Sequence, residues 1–246
     1  MNEQKFTGKA DMYEKYRPSY PDELIDFLYE SAPCDNVADV GAGTGKFTRR
    51  LLKKPWKVTA VEPNPDMREK LFEIEGITIV NAPAENTGLA DKSVGLVTAA
   101  QAFHWFDEDR FKLECKRILT PNGKAAIIWN SFVKEGLAER QTELCRKYSS
   151  DPKFAETGHT GARSASAGDK FLGSYFKAIE VREYFGERVF NRESFIGETL
   201  SRSYAPREGE PYFEPFIKEL SELFSEFESG GKAVVKTKTI CYLGSF

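Results

Sequence analysis

Only four cysteines and two histidines occur among the 246 residues. Cys34, Cys115, Cys145 and Cys241 are widely spaced and form no CxxC pair, which argues against a metal centre and fits reduced thiols in a cytosolic protein. No apolar run approaches the ~20 residues that a membrane span needs. The first 20 residues are polar and charged and lack the apolar core of a signal peptide. A cytoplasmic protein with no membrane partner is therefore expected. A basic excess is missing as well: 35 Lys and Arg face 38 Asp and Glu, for a net charge of −3. Proteins that grip long nucleic acids usually carry such an excess, so nucleic acid is disfavoured as a partner, although a local basic patch stays open. There is no internal repeat and no low-complexity segment. What is present is ordinary globular composition, 40% hydrophobic and 30% charged. The length suits one large α/β domain, with or without a cap.

The pattern along the chain alternates. Pro21 followed by DELIDFLYESA predicts a helix with proline in its first turn. NVADVGA predicts a buried strand, GKFTRRLLKK a short basic helix, and KVTAV a second strand ending at Glu62. PNPDMREKLFEI, ITIVN and SVGLVTAA read as helix, strand and strand. Asp107 is a good N-cap for EDRFKLECKRIL, where Phe111, Cys115, Ile118 and Leu119 share one face. TPNG is a turn before a fifth strand, KAAIIWN. Strands alternating with helices over residues 21–130 predict a parallel sheet covered on both faces. After Asn130 the pattern changes. An amphipathic helix is marked by Leu137, Leu144, Cys145 and Tyr148. Residues 149–170 read as a long polar loop. A strand covers 179–190, and Asn191 caps a helix running to about Tyr204. A helical apolar stripe runs from Phe213 to Phe227, and AVVKTKTICYL is a last strand. The two late strands suit an antiparallel closure of the sheet.

The most informative stretch is Val40-Gly41-Ala42-Gly43-Thr44-Gly45-Lys46, which follows a strand and opens a helix. A P-loop needs glycine where Val40 stands and Ser or Thr where Phe47 stands, so that reading fails. A dinucleotide fingerprint needs a third glycine at Lys46, which weakens it. GxGxG remains, the loop type that holds S-adenosylmethionine: glycines admit close backbone approach, and loop amides favour the ligand's carboxylate. Glu62, 21 positions after Gly41, suits the ribose hydroxyls of that ligand and of NAD alike.

On these residues the chain resembles the class I S-adenosylmethionine-dependent methyltransferases, in the methyltransferase type 11 or trans-aconitate methyltransferase-like branch. ADVGAGTGKFTRRL is similar to the family's first motif and AVEPNPDM to its second. NAPAENTGLADKSVGLV is similar to its adenine-side segment, and YEKYRPSYP to the branch's N-terminal segment. The resemblance covers about Ala10 to Asn130. It implies a doubly wound, Rossmann-like, seven-stranded sheet of order 3-2-1-4-5-7-6, with strand seven antiparallel and a helical cap. The whole chain, 1–246, would be one methyltransferase domain. Residues 1–20 would form a lid, and 131–178 and 191–230 cap insertions on the substrate side. It further implies S-adenosyl-L-methionine as cofactor, held by Asp39, Gly41, Gly43, Gly45, Glu62, Pro63, Met67, Ala84, Glu85 and Gln101. Family members often carry an acid where this chain has Gly95.

The activity so implied is methyl transfer to a small organic molecule, with carboxylic acids as the first class to try. Such transfer is an in-line displacement whose leaving group is a neutral thioether, so the protein's task is alignment and exclusion of water. His104, in QAFHWFD after strand four, is the candidate base or hydrogen-bond donor. Phe103, His104 and Trp105 would face the acceptor, and Tyr13 and Arg17 would close over it, with Arg17 suited to a carboxylate. His159, Arg163 and Arg202 are further cations for an acidic acceptor. Two other readings stand beside this one: a nicotinamide-dependent oxidoreductase, and a protein that binds S-adenosylmethionine without catalysis. The oligomeric state is not legible.

Overall fold

The computed structural model describes residues 10–149, 154–155 and 168–246. A short helix α1 (Ala10–Tyr16) precedes α2 (Asp22–Ser31), which Pro21 opens. Then come β1 (Asn36–Val40), α3 (Thr48–Leu51), β2 (Lys57–Val61), α4 (Pro65–Leu71), β3 (Ile77–Val80) and β4 (Val94–Ala100). A 3-10 turn (Phe103–Trp105) leads into α5 (Glu108–Ile118) and β5 (Leu119–Phe132). The remainder is α6 (Gly136–Tyr148), α7 (Gly168–Tyr175), β6 (Ala178–Phe190), α8 (Arg192–Leu200), α9 (Phe213–Phe227) and β7 (Ala233–Ser245).

The seven strands form one sheet of order β3-β2-β1-β4-β5-β7-β6. β3, β2, β1, β4 and β5 run parallel, while β7 pairs antiparallel with both β5 and β6. Both faces of the central strands are covered, as their continuous apolar runs require. Ala126 and Ile128 of β5 pack with Leu24 and Leu28 of α2, while Ala125, Ile127 and Trp129 pack with Phe111 and Ile118 of α5. That alternation is the period of two of a strand, displayed on two buried faces. A third cluster lies outside the sheet. There α6, α8 and α9 bring Leu137, Phe195, Leu220 and Phe224 together under Phe190 and Val235. It gives the helices after β5 an apolar core of their own.

Three local details depart from the sequence expectations. The basic helix after the glycine loop shortens to one turn, Thr48–Leu51. Gly45 at φ +83 keeps the chain out of the helix before it, and Pro55 disfavours helix just after it. The expected turn at residues 120–123 is absorbed into β5 through a register shift, Leu119 pairing with Val94 and Lys124 with Leu96. The long loop expected over 149–170 gives way at its end to α7, which begins at Gly168. The rest of that loop, with His159 and Arg163, lies outside the described residues.

Candidate active site

The chain order reverses between β1 and β4, and ligands in open α/β sheets bind at such a switch point, beyond the carboxyl ends of the strands. A cleft of about 190 Å³ opens there. Asp39 reaches it from β1, Gly41 and Gly43 from the loop after β1, Glu62 and Pro63 from just beyond β2, Met67 from α4, and Ala84 and Glu85 from beyond β3. Gln101 and Trp105 reach it from beyond β4.

The loop geometry follows from its glycines. Gly41, at φ +69, accepts no side chain: a Cβ there would stand 2.6 Å from the Ala102 Cβ and 3.0 Å from the Phe106 ring. Its N–H donates to Val61 O at 2.9 Å, which draws the loop across the end of β2. Gly43, at φ +58, faces open space. Gly45 is different: a Cβ would meet Ile74 at 2.3 Å and Leu71 at 2.8 Å, so this glycine seats the loop against the end of α4 and the segment after it rather than lining the cleft.

Two buried carboxylates face the cleft. Glu62 accepts from the Gly43 N–H on Oε2 and from the Asn64 N–H on Oε1, both at 2.8 Å. Burial pushes its carboxyl up, and the two N–H donors pull against that rise. A carboxylate offers about four acceptor positions, so two remain for a ligand's hydroxyl groups. Asp39 accepts from the Thr48 hydroxyl at 2.6 Å and the Thr98 hydroxyl at 2.9 Å. Burial raises it to about 6 against these two donors. A cationic group entering the cleft beside Asp39 would offset that burial. The Thr44 hydroxyl is buried with no hydrogen-bond partner among the described residues, a spare polar atom in the loop.

The far wall carries backbone strain. Gln101 has φ +57, a region that side-chain-bearing residues seldom adopt. Its N–H donates to Ile128 O at 2.8 Å, and its side-chain amide donates to Asn130 O. Glu85 accepts from the Asp107 N–H at 2.7 Å, which joins the segment after β3 to the start of α5.

The amino acids expected on the acceptor side separate. Trp105 lines the cleft, while Phe103 is 1% exposed and belongs to the core beside Phe111, Trp129 and Tyr175. This is a correction to the expected acceptor wall: the 3-10 turn sends Phe103 inward. His104 is half-buried with its ring against Trp105, centroids 4.6 Å apart, and is not among the residues that line the cleft. Arg17 follows α1 and lines two neighbouring cavities, not this one. Tyr13 lies on α1 and its side chain is outside the described part. Arg202, expected as a cation for an acidic acceptor, is half-buried and paired with Glu198, with Nη2 at 3.0 Å. Phe106, expected with Trp105 to line an apolar pocket, does line the cleft, and the sequence reading missed Tyr20, Lys46, Phe47 and Asn64, which line it too. The glycine-loop spacing could have pointed to Lys46 and Phe47, whereas Tyr20 carries no local signal.

Residues 38–127 match the family model of a methyltransferase domain. The match spans β1 to the middle of β5 and contains most of the cleft. Uncharacterised methyltransferases of Mycobacterium bovis and Mycobacterium tuberculosis are each 42% identical over 127 residues, 51% of this chain and 52% of the relative. A malonyl-[acyl-carrier protein] O-methyltransferase of Bacteroides thetaiotaomicron is 31% identical over 148 residues, 53% of this chain and 56% of the relative. The chain thus spans about half the length of the curated relatives it matches. A solved structure of a candidate type II methyltransferase from Anaeromyxobacter dehalogenans is similar over 94% of this chain and 98% of that one, with TM-score 0.68 and 25% identity. Among the described residues no helix is long and apolar enough to cross a membrane, and no cluster of His, Cys, Asp and Glu suits a metal ion.

Proposed function

We propose that the chain is an S-adenosylmethionine-dependent methyltransferase acting on a small organic acceptor, with carboxylic acids as the leading class. The observation that carries this is the pair of buried carboxylates at the switch point, set around a glycine loop with one face open. Their chemistry fits the cofactor. Glu62 would accept from the ribose hydroxyls with its two remaining acceptor positions. Asp39 would stand toward the cationic portion, where its charge is stabilised. Gly41 and Gly43 would let the backbone approach closely, with Pro63, Met67 and Ala84 on the adenine side. Bound there, S-adenosylmethionine supplies an electrophilic methyl group on a sulfonium. The chain's own work is alignment and exclusion of water. Trp105 and Phe106 make that wall apolar. A carboxylate acceptor is already ionised and needs no base, so His104 takes a positioning role through its contact with Trp105. The relative named as an O-methyltransferase supports oxygen as the accepting atom. We further take α1 and the segment after it as a lid, and α6, α8 and α9 as the acceptor-side cap.

The test is calorimetric titration with S-adenosylmethionine, with NAD in parallel, followed by methyl-transfer assays on small carboxylic acids. Binding of the first ligand alone, in the micromolar range, is expected. Binding of NAD alone would move the protein to the oxidoreductases, and S-adenosylmethionine binding without transfer to any acceptor would favour a sensor.

A further inference from the structure

Three acids line the cofactor cleft, Asp39, Glu62 and Glu85, and among the described residues Lys46 is the one cation that lines it. Acids alone would suit a ligand that is positive throughout. The cofactor is not such a ligand, because its methionine end carries a carboxylate beside the amine and the sulfonium. Lys46 stands on an anchored piece of backbone. On one side the Gly45 N–H donates to Ala42 O at 3.0 Å. On the other, Phe47 is buried with its ring edge-on to Tyr20, centroids 4.8 Å apart. The Lys46 side chain is half-buried, and its ammonium makes no hydrogen bond or ion pair among the described residues. Glu14 on α1 is the carboxylate that favours its charge, and that group is already paired with Arg49 at 3.1 Å. Burial pushes the ammonium down, Glu14 pulls against that fall, and repulsion from Arg188, Arg49 and Arg17 adds to it. A carboxylate arriving beside Lys46 would favour its charged form.

We propose that Lys46 anchors the carboxylate at the methionine end of the cofactor and so selects against adenosyl thioethers that lack it. This rests on the methyltransferase reading of the cleft. Opposite charges then meet at both poles of a zwitterion, Asp39 toward the amine and sulfonium and Lys46 toward the carboxylate. A ligand without the carboxylate meets the acids but leaves Lys46 unpaired. An ammonium on a four-carbon stem meets a carboxylate as a point charge and needs no planar fork to do so. Holding that end limits the rotation of the tail that carries the sulfonium, which serves the alignment of its methyl group.

The test is calorimetric titration of the whole protein with three ligands. S-adenosylhomocysteine carries the full methionine-derived end, S-adenosyl-3-thiopropylamine lacks only its carboxylate, and 5′-methylthioadenosine lacks the amino-acid end altogether. The wild type is expected to bind S-adenosylhomocysteine at least tenfold more tightly than the thiopropylamine. Lys46→Gln should weaken S-adenosylhomocysteine tenfold or more and leave the other two within threefold, which closes that gap. Lys46→Arg should keep most of the S-adenosylhomocysteine affinity. The two shorter ligands report that the cleft of each variant is folded. Unchanged S-adenosylhomocysteine affinity in Lys46→Gln, or equal weakening of all three ligands, overturns the assignment of Lys46 alone. Failure of all three to bind the wild type strikes the methyltransferase reading itself, and the assignment with it.

Discussion

The Gly43 N–H donates to Glu62 Oε2 across 2.8 Å and so ties the loop after β1 to the acid just beyond β2. The same carboxylate takes the Asn64 N–H on its other oxygen. Removing it strips two backbone donors of their acceptor and takes away the proposed ribose acceptor in one step. Hydrogen bonds to a charged group contribute about 1.5–3 kcal/mol each. Glu62→Ala should therefore weaken S-adenosylmethionine binding about 100-fold or more in calorimetry. Glu62→Gln should fall between, since its amide nitrogen faces an N–H donor on one side. An affinity within threefold of wild type in Glu62→Ala would remove this carboxylate from the site.

Gly41 and Gly43 look equivalent in sequence and are not equivalent in space. Both have positive φ, which costs a side-chain-bearing residue about 1–2 kcal/mol. Only at Gly41 would a Cβ also meet a neighbour, Ala102 at 2.6 Å. Overpacking of that kind adds about 1–3 kcal/mol. Urea unfolding should show Gly41→Ala losing roughly 2–5 kcal/mol and Gly43→Ala about 1–2. Equal losses would mean that the contact with Ala102 relaxes freely.

What the sequence displayed and what it hid divide along physical lines. Strand order was available through the resemblance, and the cleft's acid and glycines were available because each serves a local backbone need. Glu62, Gly41 and Gly43 can be placed from spacing alone. Phe103 and Trp105 could not be told apart, since both are aromatic and only the 3-10 turn decides which one enters the core. Tyr20 and the cavity that Arg17 and Arg188 line beside the cleft were hidden for another reason. They depend on pairing β6 with β7 and on the path of the segment after α1, which are long-range contacts with no sequence period.

Asp39 makes the protein's stability depend on pH in a defined direction. Its carboxyl is raised from an ordinary value near 3.8 to about 6 by burial, against the Thr48 and Thr98 hydroxyls. The folded state then holds the proton more tightly than the unfolded one, so this group's contribution falls as pH climbs from about 4 to about 6 and is flat above. At about 1.36 kcal/mol per pH unit the loss is on the order of 3 kcal/mol. Asp39→Asn has no such proton to lose. Urea unfolding at stepped pH should show the variant gaining on the wild type across that window. Binding of the cationic cofactor should follow the ionised form and tighten from pH 5 to pH 7 in the wild type. A stability difference that does not change with pH would discard the raised carboxyl.

At Gly95, where the resemblance implies an acid in many family members, packing leaves no room for a side chain. A Cβ at Gly95 would stand 2.3 Å from the Cys34 Cβ and 3.0 Å from its Sγ. Cys34 lies in the turn between α2 and β1, so β4 and that turn approach too closely for any side chain between them. Gly95→Ala should cost about 2–3 kcal/mol in unfolding, as overpacking of a close contact does. Cys34→Gly removes the opposing atoms and should restore most of that loss in the double variant. The coupling between the two changes, read from a double-mutant cycle, should exceed about 1 kcal/mol, since residues in direct contact are not additive. If the two losses simply add, the close approach of Cys34 is not what keeps position 95 as glycine. S-adenosylmethionine affinity should be unchanged in all three variants, because neither residue lines the cleft.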